Sequence, residues 1–428
     1  MKTTSTKGST PQSSSEAGKD IRHRVEHLGL TLAETLGVVL SEIPGRGAGP
    51  QMLANAIGIT VATASRLLKA LSQEKPISVM QLLPGPNPLR SIVTSAQEKG
   101  ASEAGAKAAL VAIEEFDSII RTEAGDRSAF KAMLSTWLPN ERREFQAARR
   151  RTIFKAMSEL EGVSGELDVN CIALRPSATE GYIDLLNLKA LLGIDRIRPD
   201  ARVRLSTHVL VTDTKDGAKG PAADRSREPL SLSGTPITGD LDSGRLDEFC
   251  NARPAPIEVN TFGNYIQYSL GPTGFGPSST VDLVLGEVNL AELRADYTGL
   301  HGDGWCPYFF QIPDMTVKLC VFDLILFKGA YSDYQVEFVS YSSTERGPAD
   351  ANDVTREMDK VQIDEPIKAL GAHPGQMRLM EFPRYSELLR HSFGKLGWES
   401  DGFSAYRIRV PHPLPGTQLT FVLRKKEN

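Results

Sequence analysis

Residues 50–71, PQMLANAIGITVATASRLLKAL, constrain this chain more than any other stretch, because they specify two short helices joined by a glycine turn. Pro50 suits a first helical turn, where its missing N–H has no partner to lose. Leu53, Ala54 and Ile57 then give that helix an inward face. Gly58 is free to take the left-handed conformation that closes it, and Thr60 stands where a hydroxyl caps the next helix. In the second helix Ala64, Leu67, Leu68 and Leu71 fall at i, i+3, i+4 and i+7, a single buried stripe. Val61, Ala62, Thr63, Ser65, Arg66 and Lys69 are left facing out. With Gln51 and Thr60 they form the set that would meet a DNA groove.

The order Leu-Ala, Gly, Thr, Ser-Arg-Leu-Leu, Leu resembles the N-terminal winged helix-turn-helix of the IclR family of bacterial transcription regulators, over the first quarter of the chain at most. The resemblance implies that Val61, Ala62, Thr63, Ser65 and Arg66 occupy base-reading or phosphate-contacting positions. Val61 and Ala62 stand where relatives often carry polar or basic side chains, which leaves Arg66, Thr63 and Ser65 as the hydrogen-bonding candidates and the two apolar residues for contacts such as a thymine methyl. It also implies a wing directly after the helices. Residues 78–93 offer two apolar runs around Pro84-Gly85-Pro86-Asn87-Pro88, read here as a β-hairpin with Asn87 at its tip and Arg90 beside it as a phosphate contact.

Charge supports this weakly. Residues 1–100 carry eleven basic and seven acidic side chains, a net of +4, against 38 and 46 in the remainder, a net of −8. Binding would therefore depend on dimerisation and a defined site rather than on bulk electrostatics.

With 428 residues and 40% hydrophobic content, the chain can bury at least two sizeable cores. Cys171, Cys250, Cys306 and Cys320 are far apart, with no CxxC pair, which points to a reducing cytoplasm and to no zinc ribbon. No apolar run approaches the length of a membrane span. The expected fold class is multidomain α+β. A polar, disordered tail covers 1–19, a winged helix-turn-helix 20–98, a helical linker for dimerisation 99–164, and a β-rich α+β sensing or assembly domain 165–428, with a flexible loop near 213–253.

Within that plan, residues 21–43 carry a helical stripe through Val25, Leu28, Leu32, Leu36, Val39 and Leu40. Ala109, Ile113, Phe116 and Ile120 form a seam that suits a partner helix or a monomer core equally. Residues 140–160 read as an arginine-rich helix. Further on, 166–175 and 202–212 read as strands, 183–192 as a short helix, and 257–270, 281–288, 317–327 and 334–341 as strands. Residues 354–370 and 385–396 read as helices, and 404–410 with 418–423 as a closing strand pair.

No nucleophile elbow, Walker loop or HExxH motif is present, and the chain is read as not an enzyme, with no catalytic residue, no metal and no cofactor. The run His301-Gly302-Asp303-Gly304-Trp305-Cys306 is read as a polar loop leading into an aromatic strand, and the Gly271 to Gly276 run as a turn. The expected function is that of a cytoplasmic, sequence-specific transcription regulator. Its partners would be double-stranded DNA and a second copy in a homodimer or higher oligomer, with room for a small-molecule effector and no membrane. The alternative is an assembly scaffold in which the helix pair only packs. The regulator reading depends on two features: a solvent-presented tip at Thr60 and a β-hairpin flanking it.

Overall fold

The computed structural model describes residues 13–43, 49–209, 229–237, 240–251, 256–262, 265–271, 279–296, 305–398 and 402–426. The chain divides into two compact units, Met1–Gln146 and Ala147–Asn428. It is an α+β protein, helical in the first unit and β-rich in the second.

The first unit contains α1 (Ser13–Ser41), α2 (Pro50–Ile57), α3 (Val61–Leu71), α4 (Pro76–Leu82), α5 (Pro86–Glu98), α6 (Glu103–Ile119) and α7 (Arg127–Ser135). The stripe on α1 behaves as its spacing requires: Val25, Leu28, Leu32, Leu36 and Val39 are fully buried. They pack with Leu53, Leu67, Leu89, Ile113 and Phe116 into one core. Ala109, Ile113, Phe116 and Ile120 on and beyond α6 belong to that core, so this seam is spent inside the unit. A π turn, Ile120–Ala124, extends α6, and Asp126 starts α7 by accepting from the N–H groups of Ser128 and Ala129 at 2.7 and 2.8 Å.

Two expectations fail here. Helix α1 already includes residues 13–19 of the stretch read as a tail. More consequentially, the hairpin expected over 78–93 does not form: α4 and α5 occupy it, with Pro76 and Pro86 at first-turn positions. Prolines that look like a hairpin tip serve equally as helix starters, and Ile77, Met80, Leu83, Leu89, Ile92 and Val93 bury at helical rather than alternating spacing.

Helix α8 (Pro139–Glu161) carries the chain across the boundary between units. The second unit is built on a seven-stranded sheet in the order β11-β12-β9-β1-β2-β7-β4, where β1 is Val163–Pro176, β2 Tyr182–Arg196, β4 Leu230–Ser231, β7 Val281–Arg294, β9 Val317–Phe327, β11 Lys368–Leu370 and β12 Phe403–Pro411. Among the described residues of this sheet, only the β1/β9 pairing is parallel. Strand period places Leu167, Val169, Cys171 and Ala173 of β1 on one face, packed with α9 (Tyr385–Lys395), and Ile172 and Leu174 on the other. That other face packs against two three-stranded sheets. One orders β10 (Tyr334–Ser342), β13 (Thr417–Lys425) and β8 (Tyr308–Gln311); the other orders β3 (Val203–Val209), β6 (Tyr265–Leu270) and β5 (Ile257–Phe262).

Three further expectations are corrected. Residues 183–192 form the middle of β2 rather than a helix, paired with β1 on one side and β7 on the other, because ladder bonds on both edges override the helix preference of Leu and Ala. Residues 354–370 are not a helix: a 3₁₀ turn, Val354–Asp359, is held by Arg356 donating to the carbonyls of Gly347 and Pro348, and Pro366 precedes the short strand β11. Strands β12 and β13 both exist but do not pair with each other. The proline-rich turn between them moves the chain from one sheet to another.

Of the loop expected near 213–253, residues 210–228, 238–239 and 252–253 lie outside the described residues. The described part includes β4 and two 3₁₀ turns, Leu241–Gly244 and Asp247–Phe249. No helix among the described residues is long and apolar enough to cross a membrane.

Candidate nucleic-acid interface

The α2–α3 pair forms as its local chemistry dictates. Pro50 opens α2, and Gly58 ends it at φ 73° with its N–H on the Ala54 carbonyl at 2.9 Å. Thr60 caps α3, its Oγ1 accepting from the N–H of Thr63 at 3.2 Å while lying 2.8 Å from the Thr63 hydroxyl. Those two hydroxyls are therefore committed to holding the tip. Below it Ala64, Leu67 and Ala70 are fully buried, with Leu68 and Leu71 half-buried, so the inward stripe is rotated slightly from the expected one toward Ala70.

Facing out are Val61, Ala62, Ser65, Arg66 and Lys69, all exposed, with Thr63 half-buried and Thr60 exposed at the helix start. Gln51 is exposed on α2, its amide 3.4 Å from the Asn55 side chain. Arg66 and Lys69 form no ion pair among the described residues. Between Glu42 and Glu98 the sole acid is Glu74, against Arg46, Arg66, Lys69, Lys75 and Arg90. The face thus combines an open helix start, two free cations and no carboxylate of its own, an arrangement suited to phosphate oxygens.

Asn87 and Arg90 do not join it. Both sit on α5, where Arg90 donates to Glu114 at 2.8 Å, Asp117 at 2.7 Å and Asn87 at 2.6 Å. The hydrogen bonds from Arg90 hold the Glu114 carboxyl below its usual range, and those carboxylates raise the Arg90 guanidinium in turn. These pairs fasten α5 to α6.

Sequence reasoning missed Arg127. Its guanidinium donates to the carbonyls of Met80 and Leu83 at 2.9 and 2.8 Å, closing the end of α4, and lies 4.8 and 5.4 Å from the ring centroids of Phe116 and Phe130. Burial foremost, with repulsion from Arg66 added, pushes it down to about 10. The available signal was Gly125-Asp126-Arg127, a helix stop followed by a cap.

In the second unit the buried titratable groups engage neighbouring side chains. Asp323 is bound through both oxygens by Arg407, at 2.7 and 2.6 Å, and by the Tyr385 hydroxyl at 2.7 Å. Asp168 accepts from the Gln311 amide at 2.8 Å, and Lys189 pairs with Asp314 at 2.6 Å. The aromatic residues Tyr268, Phe309, Phe322, Tyr331 and Tyr334 are core. None of the four cysteines forms a disulfide among the described residues, and burial raises each thiol. Of the His301 to Cys306 run, 301–304 lie outside the described residues, as do 272–276 of the glycine run. No group of three metal-ligating side chains occurs among the described residues.

No protein-family model, curated protein or solved structure matches the chain.

Proposed function

We propose that the chain is a sequence-specific DNA-binding protein of the transcription-regulator kind, reading duplex DNA with α3 from a head that has no wing. One observation carries the reading: the outer face of α3, from the Thr60 cap through Arg66 and Lys69, is exposed within its unit and lacks any acidic side chain. Of the two features the regulator reading depends on, the presented tip is met within the first unit and the flanking hairpin is not. The proposal is narrower accordingly. The likeness to IclR heads supports it over residues 50–71 alone, and the contact set contracts to Gln51, Thr60, Val61, Ala62, Thr63, Ser65, Arg66 and Lys69.

Selection of bound duplexes from random sequence tests it. A recovered site should bind with affinity that falls steeply as salt rises, and Arg66→Ala should weaken specific binding by at least about 1 kcal/mol, roughly fivefold, without shifting the melting temperature. A recovered site bound equally by the variant removes α3 as the reading element. A second reading, protein docking on the same face, is favoured by Met52 and Val61, which are 54% and 42% exposed. Absence of any duplex binding at low salt selects it.

A further inference from the structure

At the margin of the seven-stranded sheet a cavity of about 610 Å³ opens between the end of β1, the short strand β4, the far part of β7 and the turn after α9. Its size falls in the range of small-molecule sites. The floor is aliphatic: Leu232 and Val288 are buried beneath it, and Leu290 stands 44% exposed beside them. Trp398 forms a wall. The apolar surface left in water is that of Leu290 with the half-buried Leu230 and Leu396, and an apolar ligand would cover it.

The polar part is one-sided. The Arg175 guanidinium lies 5.7 Å from the Trp398 ring centroid and spends one weak bond, at 3.4 Å, on the Gly397 carbonyl. Lys395 projects from the last turn of α9 and is exposed. Neither cation pairs with a carboxylate among the described residues. The one acid in the lining, Asp184, is buried and accepts from the Ala291 N–H at 2.7 Å. The Ser231 and Ser233 hydroxyls lie 2.9 Å apart at the rim.

Aliphatic floor and free cations together define the ligand. An aromatic acid would need flat walls on two sides, and only Trp398 supplies one. A polyanion would gain little from two cations, one of which, Arg175, stands opposite Asp184 across the β1/β2 ladder. A single carboxylate on a flexible hydrocarbon chain satisfies both parts, since its head takes charge-assisted bonds from Arg175 and Lys395 while its chain covers Leu230, Leu290 and Leu396. We propose that this cavity binds a medium-chain aliphatic carboxylate. The proposal concerns the second unit and stands apart from the DNA-binding reading.

Calorimetric titration of the full-length protein with sodium decanoate tests it, with decanamide as the uncharged counterpart. Decanoate should bind at one saturable site with a dissociation constant below about 1 mM. Arg175→Gln combined with Lys395→Gln should weaken it at least tenfold or about that, with only a small fall in melting temperature, because Lys395 is exposed and the half-buried Arg175 gives up no more than its contact with the Trp398 ring and one long bond to Gly397. Decanamide should bind as weakly to the unaltered protein as decanoate does to the double variant. Absence of saturable binding overturns the site. Equal affinity of the double variant, or of decanamide, overturns the assignment of the anionic head.

Discussion

Asp168 is the residue where burial and charge are in sharpest conflict. It sits fully buried on β1 with one oxygen accepting from Gln311 and the other without a partner, as is the Gln311 carbonyl oxygen. Burial foremost raises its carboxyl from the ordinary 3.8 to about 6, with Asp314 adding to the rise and Lys189 and Gln311 opposing it. The folded protein therefore keeps a proton across a window in which the unfolded chain has lost it. Stability falls as pH rises through that window, from about 4 to about 6, by about 3 kcal/mol at most from this group. Asp168→Asn keeps an acceptor for Gln311 and removes the titration. The variant should gain on the unaltered protein as pH rises from 4 to 6.5, measured by urea unfolding at a series of pH values; a gap that is constant across the series contradicts the assignment.

At the scale of elements, what could be read from the sequence is what local chemistry alone decides. The α2–α3 joint needs only Pro50, Gly58 and Thr60, each acting within four residues of itself, and all three take the expected roles. Gly58 is the sharpest case. Its φ of 73° is disfavoured for any side chain, yet a Cβ there meets nothing within 4 Å, so Gly58→Ala isolates the backbone cost. It should destabilise the first unit by about 1–2 kcal/mol in chemical denaturation with the fold retained. A neutral result would mean that the turn relaxes and that the orientation of α3 is not fixed by it. Residues 183–192 could not be read in this way, because their strand state is set by β1 and β7, distant in sequence. The lost wing has the same origin in reverse: the Pro84 to Pro88 run suits a turn or a helix start, and burial of Leu83, Leu89 and Ile92 against the rest of the helical unit decides for the helix. Arg90 was legible as a cation but not as one already satisfied, since Glu114 and Asp117 reach it only once α5 and α6 lie side by side.

For the whole molecule, the cores are drawn from separate parts of the chain. The helical core runs from Val25 to Leu138 and the two β-rich cores from Val163 to Leu423, with α8 between them. Cores that share no residue need not unfold together. Leu32 is fully buried in the first and Phe421 in the second. Leu32→Ala should cost about 2–5 kcal/mol and lower the transition of the first unit by roughly 5–15 °C, leaving that of the second in place. Phe421→Ala should do the reverse. Differential scanning calorimetry of the full-length protein resolves the two, and a single transition that moves with either substitution would show one cooperative unit instead. The same pair locates function, since α3 lies wholly in the first unit. Between the two transitions of Leu32→Ala, duplex binding should disappear while the binding of decanoate persists.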